Sequence, residues 1–242
     1  MDTQLIQAIS EILSTLLWPL IFLLLLLLYR KRIGEILANI KSITFPGGTT
    51  VRFNNEYRAI QEKALSVKFS EEELSQDDID LARNTQARLG KFDSQLISNK
   101  IEELGQLYIH NRAIYKGTER TRRANEMLSQ LRAIALLAKP LLPSLLRTNF
   151  PGDTLASIAI LQVNPNPVYI DFLGRVASED MTYIGHQATV TLLQYSKRFT
   201  ALEIRKQIKS QVDKIQSVLK EEKKRHHRAK LLPIILRNIA KS

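Results

Sequence analysis

Three neighbouring arginines, Arg120, Arg122 and Arg123, come nearest in type and spacing to a binding chemistry. They stand at the start of the apolar-faced run TERTRRANEMLSQLRAIALLAK, where the positive end of a helix dipole gives a cation no stabilisation. Some other group must hold them, either the acidic segment upstream or an anionic ligand. Guanidinium forks suit the second role because they bond carboxylate or phosphate oxygens two at a time. An exposed basic turn is the plainer reading of the same residues.

Catalytic chemistry has less to stand on. The histidines are His110, His186, His226 and His227, and there is no cysteine. No H-E-x-x-H, G-x-S-x-G or glycine-rich phosphate motif occurs. His110 and His186 read as packed or surface residues, so no catalytic residue, cofactor or metal site is named. The chain reads as non-enzymatic; an enzyme assembled from scattered residues is the alternative a single sequence hides. Glu71, Glu72, Glu73, Asp77, Asp78 and Asp80 lack the spacing of a calcium loop. They fit helix starts, with Ser70–Glu73 and Ser75–Asp78 as capping pairs.

The elements that would position these residues begin with ILSTLLWPLIFLLLLLLY, residues 12–29, which carry no charge. At 1.5 Å per residue the run is about 27 Å long, near one hydrocarbon thickness. Asp2 and Glu11 precede it, and Arg30, Lys31 and Arg32 follow. Positive-inside then predicts a single-pass protein of the cell inner (plasma) membrane, N-terminus out and bulk cytoplasmic. Trp18 and Tyr29 are the candidate interfacial aromatics, and membrane lipid is the implied contact. A cleaved signal peptide would need a basic start and a small-residue cleavage site.

The rest divides into an extracytoplasmic 1–11, a juxtamembrane helix and β-hairpin over 30–53, an acidic linker 54–84, a helical domain 85–219 and a basic tail 220–242. The hairpin rests on SITFPGGTTVRF, with Pro46-Gly47-Gly48 as its turn. Ile97, Ile101, Leu104 and Tyr108 predict one helical stripe, and Ile208, Val212, Ile215 and Leu219 another. Lys220 to Lys230 form a basic run without interleaved aromatics, which disfavours nucleic acid and favours an anionic lipid surface. The formal charge of +11 suits either partner. The fold class expected is mainly α.

The run PGDTLASIAILQVNPNPVYIDFLGRVASEDMTYIGHQATVTLLQY holds three short helical patterns bounded by proline or polar residues. It resembles HEAT-type helical repeat units. With TERTRRANEMLSQLRAIA, over about residues 105–199, it is similar to a helical module of membrane-anchored bacterial signalling and antiviral-conflict proteins. The resemblance implies an interaction or sensing platform without catalytic residues, in a bacterial defence or stress-signalling system. Three functions are expected from these readings: a membrane-tethered interaction module with a protein partner, a ligand-gated membrane-disrupting effector binding a small anionic, nucleotide-type signal, and an enzyme with an unrecognised site. A homo-oligomer is compatible with each.

Overall fold

A stretch whose apolar residues recur every three to four positions folds as a helix that must bury that stripe on a neighbour. The computed structural model describes residues 59–60, 74–89, 94–180, 182–221 and 227–240. The chain divides into two compact units, residues 1–59 and 60–242. Apart from Ala59 the first unit lies outside the described residues.

The helices of the second unit are α1 (Gln76–Leu89), α2 (Ser94–Ile114), α3 (Gly117–Ala133), α4 (Ala135–Ala138), α5 (Leu142–Leu145), α6 (Pro151–Val163), α7 (Ile170–Glu179), α8 (Tyr183–Arg198), α9 (Leu202–Glu221) and α10 (His227–Ala240). Ser75 caps α1: its hydroxyl accepts from Asp78 N–H at 3.1 Å, and Asp78 Oδ2 accepts from the Ser75 hydroxyl at 2.8 Å. Gly117, at φ +57°, makes the turn from α2 into α3 in a conformation that favours glycine. Pro140 and Pro143 cut the chain after α3 into short turns, because proline removes a donor from the helical ladder.

Two helices are buried nearly all round and form the centre. In α6 every residue from Leu155 to Val163 is buried, and in α8 Ile184, Ala188, Val190, Leu192 and Tyr195 are enclosed. Helices α2 and α3 pack on α6 from one side, while α7 and α10 pack on α8 and α9 lies against α7 and α10. Gly105 and Gly152 let α2 and α6 touch: a Cβ built on Gly152 would lie 2.4 Å from the Gly105 Cα. Tyr195 ties α6 to α8, its hydroxyl donating to the Leu161 carbonyl at 3.3 Å and accepting the Asn166 N–H, just beyond α6, at 2.9 Å. Burial pushes that phenol well above its ordinary pKa.

The structure corrects several expectations. Among the described residues there is no strand and no helix long and apolar enough to cross a membrane. The physical reason is visible in the long helices: α9 alternates buried Ile208, Val212 and Ile215 with exposed Lys206, Lys209 and Lys214, and the apolar α6 and α8 are short and covered by protein. The expected transmembrane run 12–29, with Trp18, Tyr29, Arg30, Lys31 and Arg32, lies outside the described residues, as does the hairpin expected over 30–53. The single-pass membrane placement finds no support in the described structure. The interval expected to be an acidic linker holds the first half of α1, with Asp78 and Leu81 buried. Residues 227–240 of the expected basic tail form α10, whose Leu231, Leu232 and Ile235 are buried rather than turned to a lipid surface.

Candidate functional site

A cleft of about 990 Å³ opens where four helices meet. Tyr108, Asn111 and Arg112 come from the end of α2, and Thr118, Arg120, Arg122 and Asn125 from the first half of α3. Tyr183, His186 and Gln187 come from the start of α8, and Arg228, Lys230 and Leu231 from the start of α10. Its position is set by the packing. The buried residues of α3 run from Ala124 onward, so its first two turns project past the core and leave space beside α8 and α10.

The electrostatics of this space have one sign. Arg112, Arg120, Arg122, Arg228 and Lys230 line it, and no carboxylate is among the described lining residues. Helices α3 and α8 also begin here, and neither has a side-chain hydrogen bond at its N-cap. Their leading N–H groups and dipoles add positive potential. The smaller depression of about 400 Å³ near Phe172 mixes Arg112 and Arg175 with Glu179 and Asp180, which makes it a poorer seat for an anion.

The cations are not equivalent. Arg122 is held by Glu119, at 2.6 and 2.8 Å, and by Glu126. These pairs raise its pKa and hold the Glu119 carboxyl down at about 2, the bond from Arg122 being the largest cause. Arg123 pairs with Glu119 at 3.0 Å, lies over the Tyr115 ring at 5.2 Å and is not among the lining residues. Arg120 donates Nε to the Tyr115 carbonyl at 2.8 Å, which orients the guanidinium without neutralising it. Arg228, 2 % exposed, donates Nη1 to the carbonyls of Ala177 and Asp180. It thereby places its charge at the C-terminal end of α7, where the dipole favours it.

The remaining walls are polar and aromatic. The Tyr183 hydroxyl donates to Asn125 Oδ1 at 2.7 Å, joining α8 to α3. The Tyr108 and Tyr183 rings stand 6.4 Å apart. Burial pushes the Tyr108 phenol up, against the opposing pull of Arg112, so the wall presents a neutral hydroxyl. No group of three His, Asp or Glu side chains that could hold a metal occurs among the described residues.

Of the three predicted arginines, the structure brings Arg120 and Arg122 into the cleft and leaves Arg123 outside. They do not pair with Asp77, Asp78 or Asp80; Glu119 and Glu126 on the same helix take that part. Sequence reasoning missed Arg112 and Gln187 and read Arg228 and Lys230 only as part of the basic run 220–230; the four converge through the packing of α2, α8 and α10. A Gln at position 187 within a buried apolar pattern was the one signal available.

Comparison with protein-family models, curated proteins and solved structures finds no significant match to the chain. The likeness to HEAT-type units therefore stands on the residues that carry it.

Proposed function

We propose that the helical domain is a non-enzymatic sensor module whose cleft binds a small polyanion of the nucleotide type. The observation that supports this is the gathering of Arg112, Arg120, Arg228 and Lys230 with the N-termini of α3 and α8 around one cleft that has no carboxylate among its described lining residues. Cations so placed attract phosphate oxygens strongly, since each added donor bonds a charged acceptor. The volume of about 990 Å³ falls in the range of ordinary small-molecule sites, which is about 300–1,000 Å³. Tyrosine rings and the Asn111, Asn125 and Gln187 amides supply what a base or sugar needs.

The test is calorimetric titration of the full chain with inorganic triphosphate and with nucleoside triphosphates. Saturable binding is expected, weakening as salt rises because Arg112, Arg120 and Lys230 are exposed. Arg112→Gln with Arg120→Gln should weaken it about tenfold or more, the loss of two charge-assisted bonds. Absence of saturable binding, or binding indifferent to that double substitution, sinks the reading.

A protein partner is the second reading, favoured by Val168 and Leu202, which are 75 % and 66 % exposed. Val168 N–H donates to Asn166 Oδ1 at 3.1 Å, and the Asn166 N–H in turn bonds the Tyr195 hydroxyl; Leu202 follows Phe199, whose ring packs on Tyr195, by three positions. Val168→Glu with Leu202→Glu should then abolish a pull-down interaction while the cleft still binds triphosphate. Retention of the interaction counts against an interface at this end.

A further inference from the structure

A buried polar chain runs from α1 to the floor of the cleft. Asp78 Oδ2, 3 % exposed, faces Arg132 Nη1 at 3.5 Å, and Arg132 is 1 % exposed. Arg132 Nε donates to Gln162 Oε1 at 2.8 Å. Gln162 Nε2 donates to Gln187 Oε1 at 3.2 Å. Gln187 is 1 % exposed and lines the cleft.

An amide side chain can ordinarily turn over, exchanging its donor for its acceptor. Here the first link forbids it. A guanidinium only donates, so Gln162 must turn its oxygen to Arg132. Its nitrogen is then the only group it can offer Gln187, and Gln187 must answer with oxygen. What Gln187 has left for the cleft is Nε2, a donor. Reversing either amide would place two donors face to face and leave buried groups unbonded, which costs more than a normal bond gains.

We infer that Gln187 is a hydrogen-bond donor of fixed polarity in the cleft, held so by Arg132 and Gln162, and that it selects a nucleotide whose base presents a carbonyl oxygen. This rests on the polyanion reading of the cleft. Selection arises because a base with an amine at that place sets donor against donor, while a freely turning glutamine would accept both. Gln187 is the specificity-determining residue; Gln162 and Arg132 are positioning residues, acting through it.

The experiment titrates the full chain with inorganic triphosphate, then with two pairs of triphosphates that exchange a ring carbonyl for an amine: uridine against cytidine, and inosine against adenosine. Failure of triphosphate to bind overturns the polyanion reading itself. With triphosphate bound, the carbonyl member of each pair should bind about fivefold tighter, as one hydrogen bond allows; ratios near one overturn the fixed donor. Gln187→Met should bring the ratios to one, and a persisting ratio overturns the assignment to Gln187. Gln162→Glu combined with Asp78→Asn keeps the charge of the chain constant but gives position 162 only acceptors, so Gln187 must turn over. Folded and binding triphosphate, that variant should prefer cytidine and adenosine. An unreversed preference overturns the relay, and were the variant to fail to fold, Gln187→Met decides.

Discussion

Helix α3 carries two kinds of arginine. Near its start Arg122 and Arg123 are bonded to Glu119 and Glu126 one turn away, partly open to water. At its end Arg132 is sealed in protein and bonded to Asp78, 54 positions back in sequence, and to Gln162, 30 positions on. The first group is satisfied by its own helix and leaves the fold almost indifferent to it. The second is satisfied only when α1, α3 and α6 are assembled together, so it reports on tertiary structure. The same side chain is thus a surface ornament at one end and a packing requirement at the other, and burial decides which.

The largest effect that sharpens this contrast is Arg132→Met, which strands the Asp78 carboxylate in the interior. A loss of about 3–5 kcal/mol is expected in urea unfolding, the usual cost of removing one partner of a buried pair. Adding Asp78→Leu should restore more than half of it, since the stranded charge is then gone. A loss no larger than at Arg122 would break the comparison.

Next comes Arg228→Met, which takes a donor from two carbonyls at the end of α7. It should cost about 1–3 kcal/mol in the same assay and loosen α10, read as faster amide exchange there. Unchanged exchange in α10 would mean that Leu231, Leu232 and Ile235 hold it unaided.

The smallest effect belongs to the exposed group. Arg122→Gln with Arg123→Gln should move the midpoint of thermal unfolding by less than about 2 °C, as exposed pairs do. Glu119→Gln should lower it as slightly at neutral pH, yet strengthen triphosphate binding by leaving Arg122 with one carboxylate, Glu126, in place of two. Because the folded-state Glu119 carboxyl is depressed to about 2, its contribution is present above the usual carboxylate range and is lost as pH falls through that value. The difference between wild type and Glu119→Gln should therefore vanish near pH 2; a difference that grows with acid contradicts the pairing.

What the sequence could show was local. Proline and polar boundaries framed α6, α7 and α8, and the stripes Ile97–Ile101–Leu104–Tyr108 and Ile208–Val212–Ile215–Leu219 are buried where their period put them. The Glu119 and Glu126 partners of Arg122 were equally local, three and four positions away, and should have been read. The burial of Asp78 and Arg228 could not be, although the Ser75–Asp78 capping pair was legible and is formed. Each sits in a run of like charge, which favours a solvated reading, and each is buried by a group far along the chain: Arg132 for one, the α7 carbonyls for the other. The cleft shared this fate, since its cations belong to three helices whose order in sequence says nothing of their convergence.

Helix α10 is the last of the described helices to leave a ribosome that adds about 5–20 residues per second. Until it emerges, α2, α3 and α8 can supply only three sides of the cleft, and Arg228 and Lys230 are missing from it. A chain without residues 227–240 would thus lack two of the cations that line the cleft. The proposed anion site would therefore depend on α10 being packed against α8.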